Sequence, residues 1–305
     1  MKIIIGSRGS QLALWQANWV RERLSAAGHA VEIRVIRTSG EETVPAPLPA
    51  AGIKGLFVKE IEEALRGEAI DLAVHSLKDL PVDQPPGLTL AAVPARADPR
   101  DAFVSRHAAS FSALPPGARV GTSSLRRQSQ LRHLRPDIEI VPLRGNVDTR
   151  LKKLERGDCE ALVLAAAGLA RLGLASHIRQ CFSVDEVCPA AGQGALALET
   201  RAADGPLTQA IAALDDTAAH SAARVERALL RRLGGDCRVP IGAHATPDEP
   251  IEAAGGRLRL VGVVARPDGT RLIRASASGL AAEDLGRSVA DELLRRGARE
   301  ILEAR

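Results

Sequence analysis

Short β-branched runs alternate with stretches of helical apolar spacing through the first two-thirds of the chain. Lys2 to Ile5 predicts a strand. Leu12, Trp15, Trp19 and Leu24 then fall at i, i+3, i+7 and i+12, on one face of a helix that Ser10 can cap. Val31 to Ile36 predicts a second strand, Leu56 to Leu65 a helix, and Ile70 to Val74 and Leu88 to Val93 two more strands. Pro45 to Pro49 breaks this pattern, and the segment to Gly55 reads as a mobile loop.

After a crossover at Pro94 to Arg100, the alternation starts again. Strands are expected near Ala102–Val104, Arg119–Gly121, Ile138–Pro142 and Ala161–Leu164, and helices near Ser124–Leu134, Val147–Arg156 and Ala167–Leu172. Pro189 to Gly194 is a glycine-rich connector that suggests a hinge between blocks. A third region opens with a helix from Thr217 to about Leu233. Strands follow at Ile241–Ala245, Leu258–Ala265 and Arg271–Ala277, the last two joined by a turn at Gly269, and a helix closes the region from Glu283 to Arg296. This pattern is an α+β module appended to two α/β modules. No repeat of solenoid period occurs.

Composition narrows the possible functions. The 305 residues are 45% hydrophobic and 26% charged, as in an ordinary globular protein. No apolar run approaches the roughly 20 residues of a membrane span. The N-terminal run is too short for the apolar region of a signal peptide, so a cytoplasmic protein is expected. Aromatics are only 2% and Tyr is absent, which argues against stacking platforms for single-stranded nucleic acid.

Of 41 basic residues only six are lysine. That bias fits either a GC-rich coding sequence or recognition of carboxylate and phosphate by guanidinium forks. The four cysteines, at 159, 181, 188 and 237, show neither C-x-x-C pairing nor zinc-finger spacing, so no metal is expected. Cys237 sits in a Gly-rich turn beside Arg238. It is either a small buried hydrophobe or a thiol that a neighbouring cation favours as thiolate.

Three segments share one design, a strand, a Gly, Ser or Thr loop, and a helix start carrying arginine. They are Gly6 to Ser10 with Arg8, Gly121 to Arg127 with Arg126 and Arg127, and Leu143 to Asn146 with Arg144 and then Arg150. Cations in a first helical turn oppose the macrodipole unless an anion is shared there. The repetition therefore predicts one cleft, lined at the C-terminal ends of strands, for a ligand with several carboxylates or phosphates. No Walker-type loop is present. Asp79, after Lys78 at the end of an apolar strand, reads either as a turn residue before Pro81 or as a carboxylate that stabilises a developing cation or shuttles a proton. His75 reads as a satisfied polar residue at the strand end rather than a base.

These motifs together resemble the porphobilinogen deaminases, or hydroxymethylbilane synthases. The resemblance rests on Leu12 to Ala17, Lys54 to Glu60, His75 to Pro81, Asp98 to Phe103, Gly121 to Gln128, Leu143 to Val147, Gly192 to Ala195 and Cys237 to Gly242, in family order over nearly the whole chain. It implies two α/β domains like type II periplasmic binding proteins, at 1–95 with 194–215 and at 99–189. A C-terminal α+β domain at 217–305 would carry the cofactor cysteine.

It further implies an enzyme of haem and porphyrin biosynthesis. Four porphobilinogen molecules would be deaminated and condensed head to tail on a dipyrromethane joined by a thioether to Cys237. Hydrolysis would then release 1-hydroxymethylbilane. Carried over by position, Asp79 is catalytic and also faces the cofactor with Lys78, Ser76, Thr122, Ser124, Arg126 and Arg127. Arg8, Ser10, Arg144, Arg150 and Arg171 meet the substrate, and Lys54 and Phe57 belong to a lid. The expected partner is porphobilinogen alone, for a monomer that binds neither nucleic acid nor membrane. Two departures stand out, Ala50 or Ala51 where many bacterial members carry a second lysine, and Asp236 in place of a common glycine. The alternative is a non-catalytic anion-binding protein on the same scaffold, with Cys237 unmodified and Asp79 dispensable.

Overall fold

The computed structural model describes residues 1–38, 58–234, 239–248 and 256–304. They form two compact units, 1–96 with 195–220, and 97–194 with 221–305. The first unit begins with β1 (Lys2–Ser7), α1 (Gln11–Ala26), β2 (Ala30–Val35), α2 (Lys59–Arg66), β3 (Leu72–Ser76) and β4 (Leu88–Ala92). β1 lies parallel to β2 and β3. A strand from late in the chain, Leu196–Arg201, inserts antiparallel between β3 and β4.

That insertion explains two differences from the sequence pattern. The strand after Gly194 is not among the strands expected from the pattern, and its pairing partners in β3 lie more than a hundred residues away. β3 also runs two residues past Val74, because Ser76 and His75 pair with Leu196 and Ala197. Its start is delayed, since Asp71 instead accepts the amide of Ile4 at 2.8 Å and the Ile70 carbonyl accepts from Arg201 Nη1 at 2.7 Å.

The buried face of α1 also differs from expectation. Ala13, Gln16, Ala17, Val20 and Leu24 face the core, while Trp15 is exposed. Small alanines let the helix lie close to the sheet. The indole of Trp19 is left half-buried, with the Arg23 guanidinium 3.5 Å from the ring centroid. Of the four apolar residues read as one face, only Leu24 is in the core.

The second unit repeats the plan. β5 (Asp101–Ser105), β6 (Arg119–Gly121), α3 (Leu125–Leu134), β7 (Glu139–Val141), α4 (Val147–Glu155), β8 (Ala161–Ala165), α5 (Ala166–Arg171) and β9 (Ile178–Cys181) build a sheet of order β7-β6-β8-β5-β9. The late strand of the first unit is β10 (Leu196–Arg201), giving that sheet the corresponding order β2-β1-β3-β10-β4. β9 is a short, half-buried edge strand without the apolar run that would announce it.

After α6 (Gly205–Ala212) and α7 (Thr217–Arg232), the strands β11 (Ile241–Pro247), β12 (Arg257–Ala265) and β13 (Leu272–Leu280) form an antiparallel meander. α8 (Glu283–Arg295) and α9 (Ala298–Glu303) follow, and Val225, Leu229, Val289 and Leu293 share one core with the meander. The architecture is thus two mixed α/β sheets and a C-terminal α+β region.

Candidate active site

In the first unit the functional side chains gather where β1 and β3 end. The Ser10 side chain caps α1 by accepting from the Ala13 amide at 3.3 Å. β3 passes at Ser76 into a single 3₁₀ turn, Leu77–Asp79, closed by the Leu80 amide on the Leu77 carbonyl at 3.1 Å. The Leu77 amide donates to the Ala195 carbonyl at 3.0 Å, which ties this turn to the start of β10. A pocket results, lined by Arg8, Ser10, Gln16, His75, Ser76 and Asp79 among others. Asp79 is exposed at its rim, Lys78 is half-buried in the same turn, and Ser76 Oγ accepts from Gln16 Nε2 at 2.8 Å.

Within this lining, His75 is buried with Nε2 3.1 Å from Glu199 Oε2. Glu62 of α2 lies in the same environment. Burial, and then the charge of Glu199, push its carboxyl above the usual range.

In the second unit, Arg126 and Arg127 occupy the first turn of α3, which has no acid there. Both converge on Asp101 at the start of β5, which is wholly buried. Arg126 Nη1 donates to Asp101 Oδ2 at 2.7 Å and to the Cys188 carbonyl at 2.6 Å. Arg127 donates to Asp101 Oδ1 through Nε at 3.0 Å and Nη2 at 2.7 Å. Gln193 Nε2 reaches the same oxygen at 2.9 Å. Although burial raises a carboxyl pKa, the two guanidinium groups win here and hold Asp101 well below the ordinary carboxylate range. The anion that an arginine-bearing helix start requires is therefore supplied in part from within.

Arg150 donates through Nε to the Gly145 carbonyl at 2.7 Å. Burial, and then the charge of Arg127, push it down to about 10. Arg150 and Arg127 thus repel one another, and a ligand carboxylate between them would relieve that repulsion. Arg171 Nη2 donates to the Gly194 carbonyl at 2.7 Å, and burial lowers it to about 10 as well. Arg144 is exposed. Thr122 is buried, and its Oγ1 accepts from the Ser124 amide at 3.2 Å. Ser124 caps α3 by accepting from the Arg127 amide at 3.4 Å. Lys54, Phe57 and Cys237 lie outside the described residues, as do Ala50, Ala51 and Asp236.

The sequence reading missed Asp101 as the partner of the paired arginines, and Glu199 and Glu62 as neighbours of His75. The available signal was an acid at the edge of, or inside, an otherwise apolar strand, as in Asp101-Ala102-Phe103-Val104 and Leu196-Ala197-Leu198-Glu199. A charge there requires a buried partner.

The family model described as porphobilinogen deaminase, dipyromethane cofactor binding domain, matches residues 3–209. The model for the C-terminal domain of porphobilinogen deaminase matches residues 221–295. The porphobilinogen deaminase of Pelobacter propionicus is 54% identical over 304 residues, covering 98% of this chain and 96% of the relative. That of Syntrophotalea carbinolica is 52% identical over 304 residues, covering 98% and 95%. A periplasmic substrate-binding protein of an ABC transporter from Coxiella burnetii is similar at 14% identity and a TM-score of 0.45, covering 73% of this chain and 95% of that one. With two family models spanning both described units and relatives matching end to end at about half identity, the chain belongs to the porphobilinogen deaminase family.

Proposed function

We propose that this chain deaminates porphobilinogen and joins four molecules head to tail on a dipyrromethane held by Cys237. Hydrolysis then releases 1-hydroxymethylbilane for haem and porphyrin synthesis. The observation that carries this reading is the meeting of Arg126 and Arg127 on one buried carboxylate, with Arg150 close enough to Arg127 for the two charges to repel. Each porphobilinogen brings an acetate and a propionate, so a growing chain delivers carboxylates, the group that guanidinium forks recognise. The residues present therefore fit the dipyrromethane. When bound, that group supplies the pyrrole to which the first substrate ring is joined.

The protein's own groups divide the work. Asp79, exposed at its pocket rim, accepts pyrrole N–H groups and stabilises the positive charge left on a substrate ring when ammonia departs. Lys78, Ser76, Thr122, Ser124, Arg126 and Arg127 bind the carboxylate arms nearest the cysteine. Arg8, Ser10, Arg144, Arg150 and Arg171 hold the incoming ring and the lengthening product. Holding the reacting ends together lowers the entropic cost of every condensation. Lys54 and Phe57, outside the described residues, keep their assignment to the lid by position in the family pattern. The module 217–305 presents the cysteine, and 1–95 with 194–215 and 99–189 present the binding residues. No helix among the described residues is long and apolar enough to cross a membrane. We assign the protein to the cytoplasm, as a monomer with no nucleic-acid partner.

Intact-mass measurement of the purified protein tests this reading. Two pyrrole units above the polypeptide mass are expected, and Cys237→Ser should remove them. A bare polypeptide mass in protein that still turns over porphobilinogen would overturn the assignment. A bare, inactive protein would favour a non-catalytic anion binder.

A further inference from the structure

Joining two pyrroles displaces one proton from the ring carbon that forms the new bond, and a group on the protein must take it. His75 is placed for that task. It lines the pocket bordered by Asp79, at the end of β3. In the antiparallel pairing of β3 with β10, His75 opposes Ala197 and Ala73 opposes Glu199. His75 and Glu199 are therefore diagonal neighbours on one sheet face, the face covered by Ile61 and Leu65 of α2. Glu199 is fully buried and takes Nε2 of the imidazole at 3.1 Å. Its Oε1 has no hydrogen-bond partner among the described residues.

A buried carboxylate on Nε2 makes that nitrogen the donor and leaves Nδ1 as the lone-pair nitrogen. The same carboxylate offsets the charge once the ring accepts a proton. This orienting logic is that of a carboxylate–histidine pair in acid–base catalysis. Glu62 of α2 interacts electrostatically with both members of the pair and with Arg66 and Glu63 of its own helix, and Arg8 and Asp79 line the pocket with His75. Burial, and then the charge of Glu199, raise the Glu62 carboxyl above its ordinary range.

We propose that His75, oriented by Glu199, is the proton acceptor of the condensation step. As the carbon–carbon bond forms between the substrate methylene and the free ring carbon, the C–H electron pair returns to the pyrrole. The proton passes to His75 Nδ1 and leaves from there to solvent. Glu199 is a positioning residue that acts through His75. This inference rests on the function proposed above.

The test uses the purified holoenzyme with His75→Gln and Glu199→Gln, and porphobilinogen carrying hydrogen or deuterium at its free ring carbon. His75→Gln should lower kcat by about 10²-fold with KM little changed, and a primary deuterium isotope effect should appear as proton removal becomes limiting. Glu199→Gln keeps an acceptor for Nε2–H, so a merely structural role would survive it. The inference predicts instead a fall in kcat at unchanged Tm. Independently of turnover, ¹⁵N NMR of the histidines should show His75 as the Nε2–H tautomer, with that bias weakened in Glu199→Gln. An Nδ1–H tautomer, or wild-type kcat without an isotope effect in both variants, would overturn the inference while leaving the deaminase reading intact. If the wild-type chain does not consume porphobilinogen, both fall.

Discussion

Arg127 grips Asp101 with two nitrogens on one oxygen, Nε at 3.0 Å and Nη2 at 2.7 Å, while Arg126 takes the other oxygen at 2.7 Å. The carboxylate is fully buried and both arginines nearly so. A helix start rich in cations is thereby anchored to β5.

Asp101→Asn should leave two buried guanidinium groups without their counter-charge. Removing one partner of such a buried network destabilises by about 3–5 kcal/mol, which chemical denaturation at pH 7 will read. The folded-state pKa of Asp101 is depressed, so its stabilisation is full above the ordinary carboxylate range. It is lost as pH falls below that range, and the variant should lack that part of the acid sensitivity.

Glu62 carries the opposite sign. Its folded pKa is raised by burial and by Glu199, so the folded state holds a proton that the unfolded chain releases near 4.5. Stability from this group is greatest below that value and declines as pH rises towards the raised folded pKa. Glu62→Gln should remove this decline. The difference in denaturation midpoint between pH 5 and about pH 8 will then be smaller than in the parent.

Asp79 is exposed and bears on the site rather than on the core. Asp79→Asn should keep Tm within about a degree and lower kcat by about 10²-fold or more. Near-normal turnover in the variant would remove Asp79 from its assigned role.

Burial pushes the Cys188 thiol up to about 12 and the Cys159 thiol up to about 11. Iodoacetamide at neutral pH should therefore leave both unmodified in the folded protein and alkylate both after denaturation, as peptide mass mapping will show.

Gly194 has φ +88°, and a Cβ there would lie 2.5 Å from the Ala97 carbonyl oxygen. Gly194→Ala combines a left-handed backbone with a backbone clash. It should cost about 2–4 kcal/mol, measured as a drop in denaturation midpoint.

Much of the local structure was legible in the chain. The strand at 119–121, the helix at 147–155 and the C-terminal order of helix, three strands and helix all follow from local periodicity and from capping residues such as Ser10 and Ser124. The arginine-bearing loops and the turn at Asp79 were visible for the same reason, since each is a feature of a few adjacent residues. β10 was not, because its pairing with β3 and β4 joins distant segments. The face of α1 was misread because residue size was taken for burial, whereas the close approach of helix to sheet selects alanine and turns Trp15 outward.

The amino-acid order thus determined which segments become helix or strand, and where cations and the candidate carboxylate and thiol stand along the chain. These depend on short-range sterics, capping and apolar spacing. Only the tertiary structure decided that Asp101 neutralises Arg126 and Arg127, and that Glu199 stands behind His75. The partner of a buried charge is chosen by packing between remote segments, where loss of water makes each ion depend on what the fold brings against it.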